Sequence, residues 1–230
     1  MSPPSPPISG EIGYDTSANS QPGEPRSPGF FIGDLSLNFP APPSTETNVT
    51  RIFLTLASAS TLLLLTVFGL GLNIGDPRTL ESQSLISWHL MLALTGLVFA
   101  ALVHALVLTY FMGTGRWMED VSKAYQLEDR WRLECQRLKY RVLPWMTGCL
   151  LLLLITIGFG AAADPAARLG FSGWAGLSAS TWHLLVALTT VCANFFGNVR
   201  EFQALERNGQ LVNEVVQKVR EIRIARGLPV

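Results

Sequence analysis

The chain has 230 residues and a formal charge of zero, because 17 Lys and Arg residues balance 17 Asp and Glu residues. Apolar residues make up 48% of the sequence and charged residues only 15%, which is too apolar for an ordinary soluble domain. The three cysteines, Cys135, Cys149 and Cys192, have neither paired nor metal-type spacing, so they indicate no disulfide framework.

Residues 1–50 form a polar leader that is rich in proline and serine, with ten of the 14 prolines before residue 44. Such a segment cannot bury enough apolar surface to offset its loss of conformational entropy, so it is predicted to be a disordered tail. Within it, residues 30–37 form a short apolar patch, interpreted as a sticky stretch of tail, with a docking motif or a membrane-surface contact as the alternative. The leader lacks the pattern of a cleavable signal peptide, so the first apolar segment is predicted to be an uncleaved signal-anchor.

Four later segments meet the requirement of about 20 apolar residues for crossing roughly 30 Å of hydrocarbon. None of them contains Lys, Arg, Asp or Glu; they cover residues 52–74, 85–112, 142–163 and 179–199. The predicted fold class is therefore an all-α integral membrane protein, with a four-helix transmembrane bundle over residues 51–199. The lipid bilayer is its first expected partner.

The orientation follows from the distribution of Lys and Arg. The loop 113–141 holds seven of these residues and the tail 200–230 holds six, whereas the other two loops hold only Arg78 and Arg168. Basic loops stay in the cytoplasm, which predicts cytoplasmic N and C termini. A bacterial inner (plasma) membrane is the expected location, since no organelle-targeting pattern precedes the first span.

Apolar residues recur at spacings of three and four in both basic segments, which predicts a helical loop over 113–141 and an amphipathic helix over 200–230. The two sets are Trp117, Val121, Ala124, Trp131, Cys135 and Leu138, and Leu205, Asn208, Val212, Val215, Val219 and Ile222. We expect them to pack on each other, on a protein partner or on a second copy of the chain. Residues 110–117, which contain two glycines, are predicted to break the second helix, with an anion-accepting turn beside Arg116 as the alternative.

The two halves of the transmembrane region resemble each other. Gly-x-Gly followed by Asp-Pro ends both the first and the third span, and Trp-His-Leu begins both the second and the fourth. The pattern predicts two duplicated helical hairpins of the same topology, related by a pseudo-two-fold axis along the membrane normal.

The ionisable groups inside the predicted spans are His89, His104 and His183, and such groups are functional candidates because burying them in lipid is costly. The duplication places His89 and His183 at one depth near the outer surface. It places four glycines at the same depth: Gly69, Gly71, Gly158 and Gly160. One hypothesis is a haem b with His89 and His183 as axial ligands and with glycines making room for the porphyrin.

This layout is similar to that of membrane cytochromes b, which place histidines on one helix pair and glycines on the other. His104 lies about 22 Å further along its helix, where such proteins hold a second haem. Its counterpart in the second half is Asn198, a poor iron ligand, so a second bis-histidine haem is not supported.

Other interpretations of His89, His183 and the four glycines stay open. Trp-His pairs serve as interfacial anchors and Gly-x-Gly serves ordinary helix packing. A quinone, proton or metal site is a further alternative, with Asp76 and Asp164 adding oxygen ligands to zinc or copper.

No nucleic-acid partner and no catalytic motif are indicated. The expected function is a non-catalytic membrane scaffold or accessory subunit acting through the cytoplasmic helices; the alternative is a membrane redox subunit that binds one haem b or a quinone.

Overall fold

The computed structural model describes residues 45–76 and 78–229, and four long helices make up most of them. These are α1 (Thr45–Leu72), α2 (Leu80–Tyr125), α3 (Arg130–Ala163) and α4 (Ala179–Ala225). The predicted disordered tail and the apolar patch at 30–37 lie outside the described residues, except at the end of the tail. There the predicted boundary was wrong: residues 45–50 contain neither proline nor glycine and form the first turns of α1.

Each helix contains a stretch that is long and apolar enough to cross a membrane. The prediction of a largely helical protein with four such helices is confirmed. Apolar side chains that no neighbouring helix covers occur on all four, as expected for surfaces that face lipid: Leu62, Met91, Leu94, Val98, Leu151, Leu154, Leu188 and Phe195. At 1.5 Å per residue the 46-residue α2 is about 69 Å long, more than twice the hydrocarbon thickness.

The connections define two ends of the bundle. The loop end carries the α1–α2 connection, residues 73–79, and the α3–α4 connection, residues 164–178. The latter contains a 3-10 turn, Pro165–Ala167, and two short antiparallel strands, β1 (Gly173–Trp174) and β2 (Leu177–Ser178). The charged end carries the four-residue α2–α3 turn, which begins with Gln126 in the left-handed conformation, and the C-terminus of α4.

At the loop end, side-chain caps set where α2 and α4 begin. The Thr79 hydroxyl accepts a hydrogen bond from the Ser82 amide at 3.2 Å, and Ser178 does the same for Thr181 at 3.2 Å. Each cap satisfies an amide that the helix itself leaves unpaired, so both helices start at defined residues. The caps therefore fix the position of the side chains one to three turns later, among them His89 and His183.

The predicted helix break at residues 110–117 was wrong, and so was the alternative of an anion-accepting turn, because α2 continues through both glycines. Its side chains remain buried on either side of this region: Phe111 is 1% exposed and Met118 is 0% exposed. Between them, the Thr114 hydroxyl accepts a hydrogen bond from Asn208 of α4 at 3.0 Å. Packing on α3 and α4 outweighs the weak helix propensity of two glycines, which costs about 1 kcal/mol each.

Toward the charged end, α2, α3 and α4 continue past their apolar stretches and enclose one apolar cluster. Its members from this region include Met118, Val121, Trp131, Cys135, Leu138, Leu205, Leu211 and Val215. Burial raises the pKa of the Cys135 thiol. We call this part, residues 113–141 and 200–225, the helical extension.

Arg207 links α3 to α4 along one side of the extension. Its guanidinium lies 2.7 Å from Glu134 of α3 and 3.1 Å from Glu214 of α4. Glu214 also accepts a hydrogen bond from the Trp131 indole at 3.1 Å. The hydrogen bond to Glu134 raises the pKa of Arg207, which therefore stays charged at any physiological pH. This network sets the register of the two helices and adds little stability, since its members are partly solvated.

Replacing Leu211 by alanine tests the packing of the extension. Leu211 is 0% exposed, so Leu211→Ala should lower the free energy of unfolding by about 2–5 kcal/mol, through lost burial and the cavity left behind. Leu133→Ala is the matched control, because Leu133 is 42% exposed on the same extension. Unfolding of the purified protein in detergent, followed by circular dichroism, measures both. Equal effects of the two substitutions would show that Leu211 is not in a packed core.

Candidate functional site

The structure brings His89 and His183 together at the loop end. His89 lies in the third turn of α2 and His183 in the second turn of α4. Their ring centroids are 6.1 Å apart and the ring planes are nearly perpendicular, at 85°. Both side chains are half-buried. Two imidazoles from different helices thus share one small volume of the bundle.

Two of the four predicted glycines contact these rings directly. A Cβ atom on Gly71 would lie 3.0 Å from Cε1 of His89, and one on Gly160 would lie 3.0 Å from Cε1 of His183. Both distances are shorter than a normal carbon–carbon contact. By contrast, a Cβ on Gly69 or Gly158 would meet no described atom within 4 Å. Gly71 and Gly160 therefore make room for imidazoles, whereas Gly69 and Gly158 border open space.

The ring of His89 is held in a defined orientation. Its Nδ1 lies 3.0 Å from the carbonyl oxygen of Val67 on α1. A carbonyl only accepts, so Nδ1 carries the hydrogen and Nε2 is left with a free lone pair. A donated Nδ1–H of this kind is the usual way in which proteins orient a metal-binding imidazole. His183 faces the matching carbonyl oxygen, that of Thr156 on α3, but its buried Nδ1 does not reach full hydrogen-bond geometry with any described residue.

Aromatic side chains cover the α3–α4 side of the loop end. Trp182, which precedes His183, stacks on Trp174 at 5.6 Å and on Phe159 at 6.1 Å. Its indole also donates a hydrogen bond to the Trp174 carbonyl at 2.9 Å. Beside them, Gly158 and Phe159 line an open apolar groove of about 330 Å³ together with Ile155, Ala162 and Phe171. The groove reaches the surface that would face lipid.

His104 lies in a different site, and its partner there, Glu201, was not predicted from the sequence. Its Nδ1 lies 2.7 Å from Oε1 of Glu201, and its Nε2 lies 3.3 Å from Oδ1 of Asn194. The orientation of the Asn194 amide is set by its own nitrogen, which donates to the Thr190 carbonyl at 2.9 Å. Both nitrogens of His104 thus face oxygen acceptors, an arrangement that suits a doubly protonated imidazolium beside a carboxylate.

Both members of this ion pair are fully buried, His104 at 1% exposure and Glu201 at 0%. Glu201 lies two residues beyond the predicted fourth span, so it was grouped with the amphipathic helix predicted for residues 200–230. The signal that identifies it is the spacing of Asn194, Glu201 and Asn208, seven residues apart on one face of α4. All three are buried.

The other residues predicted for a cofactor or metal have separate roles. Asn198, the counterpart of His104, donates to the Thr61 hydroxyl at 3.4 Å. Oδ1 of Asp76 accepts the Arg78 amide at 3.0 Å, and Oδ1 of Asp164 accepts the Ala166 amide at 2.9 Å, so each caps its own turn. Over residues 45–76 and 78–229, no three His, Cys, Asp or Glu side chains are grouped as metal ligands.

No family model matches the chain, and neither a curated protein nor a solved structure matches it. The geometry of the two histidine sites is therefore the basis for inferring a function. Of the two, only the loop-end site keeps an imidazole nitrogen free to bind something else. The His104 ring uses both of its nitrogens within the protein.

Alanine substitutions at the glycines test how tightly the imidazoles are held. Gly71→Ala should lower the thermal midpoint of the purified protein, because its Cβ would push His89 away from Val67. Gly160→Ala should have a smaller effect, since His183 has no such bond to lose in the described structure. Gly69→Ala and Gly158→Ala are the matched controls. They should be neutral or stabilising by up to about 1 kcal/mol through helix propensity. If all four substitutions behave alike, the glycine–imidazole contacts do not constrain the rings.

Proposed function

We propose that the protein is a membrane redox subunit that holds one haem b between His89 and His183. The observation that carries the proposal is the meeting of these two rings, from separate helices, with centroids 6.1 Å apart. Two imidazoles on one iron, with metal–nitrogen bonds of about 2.0 Å, have their ring centres roughly 6 Å apart. The side chains therefore have the spacing of an axial ligand pair.

Three further features of the chain fit this group. The Val67 carbonyl fixes the tautomer of His89 that leaves Nε2 free to bind iron. Gly69 and Gly158 border open space at the same end of the bundle, where a flat macrocycle needs room. The apolar groove beside Gly158 and Phe159 offers a surface for its edge. Haem held by two axial imidazoles supplies one-electron transfer. The protein's part is to orient both rings, keep the site apolar and hold it at one depth.

The duplication is part of the proposal, supported by matched contacts in the two halves. Gly71 approaches Cε1 of His89 at the distance at which Gly160 approaches Cε1 of His183. We propose that α1–α2 and α3–α4 are two copies of one hairpin, so that a pseudo-two-fold axis runs between the histidines.

The topology is proposed on the distribution of charge. The loop end would face the outside, and the helical extension, with the chain termini, would lie in the cytoplasm beneath a bacterial inner membrane. The haem would then lie near the outer surface. Electrons would enter or leave on that side, through a partner that docks there or through a carrier in the lipid.

A second candidate function is the non-catalytic scaffold or accessory subunit. The observation that favours it is the helical extension, whose tip leaves Ile224 61% exposed and Leu228 46% exposed. Apolar side chains exposed outside the apolar spans are suited to a protein partner or a second copy of the chain. The two functions are compatible, because they use opposite ends of the bundle.

The visible spectrum tests the haem proposal. The full-length protein, expressed with haem available and purified in detergent, should show a reduced α-band after dithionite addition. His89→Ala and His183→Ala should each abolish the band. Met91→Ala is the matched control and should retain it, because Met91 is 63% exposed and lies only two residues from His89 on α2. Size-exclusion chromatography checks that each variant remains folded.

A wild-type protein that stays colourless would overturn the redox function and leave the scaffold function. So would a band that is lost equally in all three variants while each remains folded.

A further inference from the structure

Three buried polar atoms lack a hydrogen-bond partner within the described structure, in a series that runs from the His104–Glu201 pair to the charged end. They are Oε2 of Glu201, Oδ1 of Asn208 and Oγ of Ser122. Glu201 and Asn208 lie seven residues apart on α4, about 10 Å along the helix. Ser122 lies in the last turn of α2, at the charged end.

A buried oxygen without a hydrogen bond lowers the stability of the fold, so the presence of three such atoms requires a physical explanation. An unsatisfied buried acceptor costs about 1–3 kcal/mol, and more if it is charged. In folded proteins such groups usually bind internal water. Glu201 has the strongest need, because its Oε1 is bonded to His104 while Oε2 is a charged atom at 0% exposure.

The groups around His104 differ between its two sides. On the loop-end side, Asn194 donates to the backbone carbonyl of Thr190, and the Thr190 hydroxyl bonds to Thr156 at 2.7 Å. A side-chain amide and a backbone carbonyl do not pass a proton along. On the charged-end side lie the three oxygens that need a donor. Cys149 of α3 is the other titratable group at His104, while the buried residues of α1 are not titratable: Phe53, Ala57, Ser60 and Leu64.

We propose that water occupies the positions beside Glu201, Asn208 and Ser122, and that the His104–Glu201 pair is a buried proton-exchange site open to the charged end. In the forward step the Nδ1–H bond of His104 breaks and an O–H bond forms on Glu201, which leaves a neutral imidazole and a neutral acid. The carboxyl group then turns so that its O–H faces the water beside it. That O–H bond breaks as the water accepts the proton, which leaves a carboxylate and a hydronium ion. The same steps in reverse recharge the pair. This proposal does not depend on a haem at the other histidine pair.

The chain has only three histidines, so selective ¹⁵N-histidine labelling isolates the relevant protons in an NMR spectrum. His104→Asn assigns the His104 signals in the full-length protein in detergent. After transfer to D₂O, the Nδ1–H signal of His104 should disappear within minutes, although its side chain is 1% exposed. The Nε2–H signal, whose hydrogen faces Asn194, should persist longer. Asn208→Leu, which removes one water-binding oxygen, should slow the Nδ1–H exchange about tenfold or more.

Gln203→Leu is the matched control, because it removes an exposed amide from the same helix and should leave the rate unchanged. Ser122→Ala is a milder second variant, expected to slow exchange several-fold if Asn208→Leu does not fold. An Nδ1–H signal that persists as long as the backbone amides of the surrounding helices would overturn the proposal. Equal exchange rates in the Asn208, Ser122 and Gln203 variants would overturn it as well. Neither result bears on the visible spectrum, so the two proposals fail separately.

Discussion

The hydrogen bond of 2.7 Å between His104 and Glu201 is the interaction on which the arrangement of the helices depends. It joins α2 to α4 inside the bundle, where neither lipid nor bulk solvent can replace either partner. Removing one partner from a buried ion pair typically costs about 3–5 kcal/mol, because the other charge remains buried and unpaired. The helices must therefore pack so that these two side chains meet. Asn194, which bonds to the second nitrogen of the same ring, narrows the choice of register further.

In this arrangement of the helices, the two histidine sites differ in whether their imidazole nitrogens are already hydrogen-bonded within the protein. At His104 both ring nitrogens are used by the protein, so the site holds charge and has no free imidazole nitrogen. At the loop end, His89 uses only Nδ1, and His183 makes no hydrogen bond through its buried Nδ1 within the described residues. The imidazoles there contact glycine and each other. An external group can bind at the second site without displacing any side-chain hydrogen bond.

Sequence reasoning succeeded where a single local pattern determines the outcome. Length and the absence of charge were enough to predict four apolar helices. The Trp-His-Leu pairs were enough to select His89 and His183 as a pair, and the structure brings their rings together. The sequence pattern was not enough to distinguish the roles of the four glycines, because contact with an imidazole depends on which face each helix turns toward its neighbour. Gly71 and Gly69 are two residues apart, and only Gly71 meets a ring.

The errors came from treating the spans as boundaries. Glu201 was grouped with the amphipathic helix predicted for residues 200–230 because it follows the fourth charge-free span, although α4 carries it into the bundle as a buried partner of His104. Gly113 and Gly115 were taken to end α2, although the burial of Met118 beyond them keeps the helix intact. In both cases tertiary packing, which no local window contains, overrides the local preference.

The central proposal is that His89 and His183 would together hold one haem b, with imidazole planes as close to perpendicular as they are in the structure, at 85°. Electron paramagnetic resonance of the oxidised, haem-loaded protein tests it most directly. Perpendicular imidazole planes leave two iron d orbitals nearly degenerate, which produces a low-spin ferric signal with a very large g anisotropy. The account predicts that signal. A high-spin ferric signal, which indicates a single imidazole ligand, or the moderate anisotropy of parallel imidazoles would contradict it.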